Sequence, residues 1–422
     1  MAFLGSIGTA VKSLFSMPYT WVVVIAATLG QGGSNSPFQA IPVLFPFMQE
    51  DLGLTRTQLG MFISLMVAGG TSTILIGGWL TDIWGVRKVT GFLLLALLPA
   101  MVALGMSSAY WLLLLLAVVI GMIQSPGFLS TSRAIMDWLP PRGRAFAMGI
   151  KQTGTPVVGV LAALALPALA VTLGWRSAVF MVAGAMFTAG VGFLLIYRDK
   201  PSEGHGRRES LFGGLGDVIA NRTLLLVTTW STLFSIASVV VSSYLVLFLV
   251  EEPLLSPVAA GGIIAVARVG SVVGRVLWGA ISDLLLRSRR IIVLGIVGIS
   301  CGLAFIGIAF IHEGTPIWLI GLLSFALGLT ALSWRTVQVV LIGELASPQR
   351  MGVVMGTTST IASIGSLVGT PIFGLIVDNT ESYALAWGAT AMVALGSTAF
   401  LLLLGREPRG ESQRGQGLHA SP

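Results

Sequence analysis

Five basic side chains inside apolar surroundings are the residues best placed to do chemistry in this chain. Arg133, Lys151, Arg268, Arg275 and Arg335 each lie within, or at the inner end of, a stretch that is otherwise apolar. No acidic residue falls near the middle of any such stretch; the nearest, Asp137 and Glu344, stand at the ends. An ionisable group at bilayer depth is costly and is a functional candidate by default, either paired or facing a wet cavity. Arginine keeps its charge, and its planar fork takes a carboxylate or phosphate through two hydrogen bonds. The surplus of positive charge therefore points to binding of an anion. Arg268 is the first candidate: in "GGIIAVARVGSVVGRVLWGAISD" (Gly261–Asp283) it lies near the middle, where snorkelling is hardest. Arg335, with Gln338 one turn on, is the second. For each, the competing role is a conformational ion pair, such as Arg335 with Glu344.

The other three are read differently. Arg275 follows Arg268 by seven residues, close to two turns, so the two share a helix face. Arg133 precedes Asp137 by four residues, the spacing of an ion pair along one face. Lys151, at a similar level, fits snorkelling, gate pairing or substrate contact. Neutral polar residues complete a candidate pocket. Gln31, Asn35 and Gln39 recur every four residues, and Ser231, Ser235, Ser238 and Ser242 share a second face beside Trp230 and Tyr244. Such stripes also serve as glue between helices.

Other chemistries find no residues. Cys301 is the only cysteine, and His205, His312 and His419 are scattered, so neither a disulfide within the chain nor a metal site is expected. There is no phosphate-cradling Walker loop and no nucleophile–base constellation. An enzyme is not expected, and no cofactor is implied.

The elements that must position these groups are membrane helices. Of 422 residues, 55% are hydrophobic and 10% charged, against about 25% charged in a soluble domain. Twelve apolar runs recur, near 20–46, 59–80, 89–107, 111–133, 146–170, 176–197, 224–250, 258–281, 291–311, 316–341, 352–376 and 384–404. Each is long enough to cross a hydrocarbon core of about 30 Å. Backbone groups in lipid must bond internally, so the runs are helices and the fold class is all-α. Pro37, Pro42 and Pro46 are expected to kink or break the outer part of the first span. The first residues lack a cleavage site before a polar mature chain and read as a short cytoplasmic arm, 1–19.

A net charge of +7 and a pI near 10.1 raise the question of nucleic acid. The placement of the charges answers it. With the N-terminus inside, Arg87 and Lys88, Arg142 and Arg144, Arg198 through Arg222, Arg287 to Arg290, Arg350 and the tail arginines all fall on one side. Only Arg56 and Arg176 fall on the other. This is the positive-inside pattern, with both termini cytoplasmic and no nucleic-acid partner. The polar segment 198–222 reads as a linker between six-helix bundles at 20–197 and 223–405, and 406–422 as a disordered tail.

The two bundles repeat one another. "GGWLTD" aligns with "WGAISD", so that Gly78 and Asp82 fall on Gly279 and Asp283, an offset of 201. "DWLPPRGRAFAMG" aligns with "ELASPQRMGVVMG", so that Asp137, Pro141, Met148 and Gly149 fall on Glu344, Pro348, Met355 and Gly356, an offset of 207. "GGWLTDIWGVRKV" resembles the cytoplasmic signature of the major facilitator superfamily, G-x-L-a-D-r-x-G-r-k, at Gly78, Leu80, Asp82, Gly85 and Arg87; Ile83 stands where a basic residue is usual. The resemblance, over about residues 18 to 405, implies twelve helices in two pseudo-symmetric six-helix bundles around a cavity that opens alternately to each side. It also implies gating roles for Gly78, Asp82, Gly85, Arg87, Gly279 and Asp283, and for Arg275 a gating role as readily as a ligand-binding one, with Arg133, Asp137 and Glu344 as coupling or gate charges.

Within the superfamily, the "GRVLWGAISD" pattern and an arginine in the eighth span resemble the organic-anion branches: oxalate/formate antiporters, monocarboxylate carriers and anion:cation symporters. "RAIMDWLPPRGRAFAMGIKQTG" with "GWRSAVF" is similar to the last of these. The first span has no Arg, the second no Arg and the eleventh no Lys, each of which particular anion carriers use. The expected function is a monomeric secondary transporter of a small organic anion in a bacterial inner membrane, working by proton coupling or anion exchange. A drug/proton antiporter is the alternative: "GTPVVG" partly resembles that branch, but Gly121 stands where its fourth-span Arg would be. A transporter-like sensor is the third reading.

Overall fold

The computed structural model describes residues 18–200, 213–286, 289–346 and 350–405. The expected N-terminal arm (save its last residues), the tail from 406, residues 201–212 of the linker and Pro348 lie outside the described residues. Among the described residues every regular element is a helix.

The chain enters on α1 (Pro18–Ala40), passes through a 3-10 turn (Ile41–Leu44) and leaves on the short α2 (Phe45–Leu52). The expected break falls where the prolines are: Pro37 is inside α1, Pro42 is in the tight turn, and Pro46 opens α2. Each removes an N–H from the ladder, so a straight rod to residue 46 cannot form. Next comes α3 (Arg56–Met106), started by a reciprocal cap between Thr55 and Gln58. It is two limbs, not one rod, because Gly85 is non-helical at φ 81°. A Cβ there would lie 2.5 Å from the Asp199 carboxylate, so both the backbone angle and the close approach require glycine.

The first half continues with α4 (Tyr110–Gln124), α5 (Pro126–Trp138), α6 (Pro141–Leu173) and α7 (Trp175–Ile196). The second half holds α8 (Gly213–Ala220), α9 (Arg222–Glu251), α10 (Pro257–Ala280), α11 (Arg290–Ala309), α12 (Ile317–Ala331), α13 (Arg335–Leu345), α14 (Met351–Thr380) and α15 (Tyr383–Leu404). Helix α8 falls inside the segment expected to be linker, and packs on α9 and α14. Among the described residues, ten helices are long and apolar enough to cross a membrane. The more polar α1 and the first limb of α3, added to these, are consistent with the expected twelve. Large apolar side chains such as Trp111, Leu195, Phe310 and Leu403 face outward, as lipid contact requires.

Two crossings are interrupted, and at equivalent points. The fourth breaks at Ser125, between α4 and α5, and the tenth at residues 332–334, between α12 and α13. Ser125 and Leu332 are related by the repeat offset of 207. Pro126, lacking an N–H, accounts for the first break. Neighbouring side chains hold the second. Ser238 of α9 donates to the Ala331 carbonyl, Ser271 of α10 donates to that of Leu332 at 3.0 Å, and the Trp334 indole donates to Ser238 at 2.6 Å. Backbone groups freed by a break at membrane depth need such partners.

The halves meet along two seams. Helix α3 lies along α14, and α6 along α10. At the second seam the backbones touch: a Cβ on Gly261 would fall 2.2 Å from the Ala163 carbonyl. Small residues permit such an approach between membrane helices.

Candidate functional site

The wall contributed by the second half carries the charge. Arg268 of α10 is only 6% exposed. Its stem lies against Gly159 of α6, where a Cβ would be 3.2 Å from Arg268 Cδ and Nε and 3.0 Å from Gln39 Oε1. Arg268, Gln39 and Gly159 thus meet at the seam, from three helices. Gln39 Oε1 is buried with no hydrogen bond among the described residues. Arg275, two turns on, donates from Nη1 to the Gln152 carbonyl across the seam at 3.4 Å. Arg335 opens α13, exposed, with its guanidinium 5.4 Å from the Trp334 ring centroid. None of these three arginines has a carboxylate within ion-pair distance among the described residues.

The wall contributed by the first half is neutral. Gln31, 3% exposed, accepts from Thr131 at 3.1 Å and reaches Thr155 at 3.5 Å. Asn35 donates to the Gln31 carbonyl at 3.1 Å. Lys151 is walled off: fully buried, it donates to Ser132 at 2.6 Å and to the Phe128 carbonyl at 3.3 Å, and lies 4.4 Å from the Phe128 ring centroid. Its role in this geometry is to tie α6 to α5.

Beyond the site, the two ends of the molecule differ. At the Arg56 end, charges bridge the halves. Arg56 lies 2.8 Å from Glu251 and 3.5 Å from Asp378, and Tyr383 donates to Glu251 at 2.7 Å. Asp378 also accepts from the backbone of Arg56 (3.2 Å) and from Thr57 N (2.8 Å) and Oγ1 (2.6 Å). A carboxylate from one half therefore caps a helix N-terminus of the other, where the helix dipole favours negative charge. Nearby, Tyr244 OH lies 2.7 Å from the Arg56 carbonyl and 2.9 Å from that of Thr370, and Ser64 bonds to the Leu367 carbonyl.

At the basic-loop end, every ion pair among the described residues stays within its half. Arg133 pairs with Asp82 (3.1 Å) and with Asp137 (2.7 Å), as their spacing implies. Arg290 pairs with Asp283 and, at 3.1 Å, with Glu344. The carboxylates are the repeat-related ones, but the arginine comes from a different helix in each half. Gly85 and Arg87 are clasped by Asp199, which accepts from Arg87 N at 3.0 Å, and the Arg87 side chain donates to the Leu194 carbonyl. Among the described residues, the ion pairs that join the halves lie at the Arg56 end.

Comparison with known proteins turns this geometry into kinship. Residues 24–370 match the family described as Major Facilitator Superfamily. The chain belongs to that superfamily. It is 28% identical, over 86% of its length and 89% of the relative's, to the probable sulfoacetate transporter SauU of Cupriavidus necator. It is 23% identical, over 88% of its length and 92% of the relative's, to the hexuronate transporter of Bacillus subtilis. Among solved structures, a bacterial homologue of the human lysosomal transporter Spinster, in an inward-facing and occupied conformation, aligns with a TM-score of 0.76. That match covers 92% of this chain and 97% of the other at 17% identity, and speaks to the fold.

Several expected site residues lie elsewhere. Trp230 is buried within the second half, donating to Thr398 at 3.2 Å and stacked on Phe234. Ser235 donates to the Ala362 carbonyl at 2.6 Å and joins α9 to α14. These helix faces are glue, because their hydroxyls and indole are already spent on neighbouring helices. Arg335 does not pair with Glu344, which Arg290 occupies. Gln338 is buried on the first turns of α13. Gly78 contacts Leu129, whereas the closest approach is at its neighbour Gly77, and Gly279 has open space around it. Sequence reasoning passed over Arg56, Glu251, Asp378 and Tyr383, which link the halves. The available signal was a lone arginine after a capping Thr55 on the sparsely charged side, with single carboxylates at the matching helix ends.

Proposed function

We propose that the protein is a secondary transporter that moves a small organic anion across a membrane by alternating access. One observation carries the reading: Arg268 lies buried at the seam between the halves without a carboxylate partner among the described residues, and half-buried Arg275 and exposed Arg335 likewise lack one. Uncompensated guanidinium groups in an apolar wall are stable only against water or a mobile anion. A carboxylate or sulfonate supplies the charge and the paired acceptors that an arginine fork matches. The relatives named for sulfoacetate and hexuronate, both acids, support this substrate class.

In this reading the bundles 20–197 and 223–405 rock about the seams, and the segment 198–222 joins them. The basic loops face the cytoplasm of a bacterial cell, and the monomer suffices. Gln31, Asn35 and Gln39 supply neutral contacts opposite the arginines. A drug/proton antiporter would need an intramembrane carboxylate for cationic substrates, and the mid-membrane segments contain none.

The test is counterflow in liposomes carrying the purified protein, with labelled carboxylates and sulfonates beside cationic and neutral compounds. Acids should be carried, and Arg268→Ala should lower kcat/KM by at least tenfold. Transport of cationic drugs with no acid carried would overturn the reading.

A further inference from the structure

The arginines of the second half branch from two depths of the backbone. Helices α10 and α12–α13 run side by side in the same direction: a Cβ on Gly270 would meet the Phe325 carbonyl, and one on Gly274 that of Leu329, both at 2.5 Å. Ser271 fixes the register by donating to the Leu332 carbonyl at 3.0 Å. Arg275 lies one turn beyond Ser271, and Arg335 lies just beyond Leu332. The two therefore reach one depth on neighbouring helices. Arg268 stands about 10 Å away along the axis, since seven residues rise about 1.5 Å each.

Two cationic stations result. One is the single fork of Arg268 beside Gln39, whose Oε1 lacks a hydrogen bond among the described residues. The other is the pair Arg275 and Arg335, whose partners are a long contact to the Gln152 carbonyl and the face of Trp334. A ligand with one acid group can serve one station and leaves the other without a counter-anion; at Arg268, buried in the seam, an uncompensated charge is costly. A ligand with an acid group at each end serves both.

We infer that the substrate is a dianion, a short molecule with two acid groups, one gripped by Arg268 and the other by Arg275 with Arg335. This rests on the reading of the site as an anion carrier and specifies it further. The acid groups can be carboxylate or sulfonate, since both present oxygens to an arginine fork.

The experiment compares matched probes on the full chain in detergent and in liposomes, at a pH where all acids are ionised. Succinate, glutarate and adipate are set against their mono-methyl esters and against butyrate, pentanoate and hexanoate. In the wild type, the best diacid should bind at least tenfold more tightly than its half-ester. Arg268→Gln should reduce that preference to under threefold while the half-ester keeps its affinity, and Arg335→Gln should do the same from the other station. Arg268→Lys, which keeps the charge, separates loss of the station from loss of the fold and should retain most of the preference. Half-esters binding as well as diacids in the wild type would overturn the dianion and leave the anion carrier standing. Binding of neutral or cationic compounds in preference to every acid would overturn both. A diacid preference that survives both Arg→Gln variants would also defeat the assignment of the two stations.

Discussion

At the Arg56 end, a guanidinium of the first half holds two carboxylates of the second, and one of those carboxylates caps a helix of the first. At the basic-loop end, the same residue types pair just as closely, yet Arg133 stays with Asp82 and Asp137, and Arg290 with Asp283 and Glu344. The chemistry is alike and the topology of the bonds is opposite. Ion pairs that cross between bodies must break when those bodies separate. Pairs inside one body travel with it and set no barrier of their own. The difference shows which end is closed in this conformation, and it makes the Arg56 cluster the bond that an opening at that end must break.

The contrast is easiest to break at Arg56. Arg56→Ala leaves Glu251 and Asp378 without their cation, and removing one partner of a hydrogen-bonded charge pair costs about 2–5 kcal/mol when the pair is desolvated. The Arg56 end should open in most molecules, read as a rise of tenfold or more in alkylation of a cysteine placed at Thr370. An unchanged rate would mean that the seam at Gly261, not the charges, keeps this end shut. The double variant Arg56→Asp with Asp378→Arg should recover part of the closure.

A covalent version comes next. Ser64 and Thr370 hydroxyls lie 3.0 Å apart across the halves, and Cys301, the sole native thiol, is buried. Ser64→Cys with Thr370→Cys should cross-link under mild oxidation, abolish transport, and regain it with reductant. Persisting transport in the fully cross-linked protein would show that the halves do not separate along this seam.

Smaller effects are expected where pairs stay within a half. Asp82→Asn leaves Arg133 bonded to Asp137, and both side chains of the lost pair are close to half exposed. Such pairs contribute about 0–1 kcal/mol, so accessibility at the Arg56 end should change by fivefold at most. A larger change would show that Asp82 acts across the halves in another conformation, as the signature resemblance implies. Smallest of all, Ser235→Ala should leave KM unaltered, since its hydroxyl is used between α9 and α14; a shifted KM would return it to the site.

The architecture was largely legible in the sequence because lipid imposes one rule on every crossing helix. Apolar length gave the rods, proline gave the break after α1, and the spacing of Arg133 and Asp137 gave their bond. The site was legible in part. Arg268 and Arg335 announce themselves as charges in apolar runs, and Gln31 and Asn35 as a polar stripe. What periodicity cannot reveal is where a stripe points once neighbours are packed. Ser235 and Trp230 look like a pocket face and are bonded to α14 and α15 instead. The Arg56 cluster escaped notice for a related reason. Its members are far apart in the chain, and each alone resembles an ordinary charge at a helix end.

The unpaired arginines have an electrical consequence. A site that faces each side in turn experiences each side's potential in turn, and each charge it carries is worth about 2.3 kcal/mol per 100 mV. If the basic loops face the cytoplasm, as proposed, an empty carrier bearing Arg268, Arg275 and Arg335 would be drawn toward the negative interior and held open there. A dianion cancels two of the three charges and with them most of that voltage penalty. Under that proposal the membrane potential would act as a latch on the empty protein, and the cargo would release it.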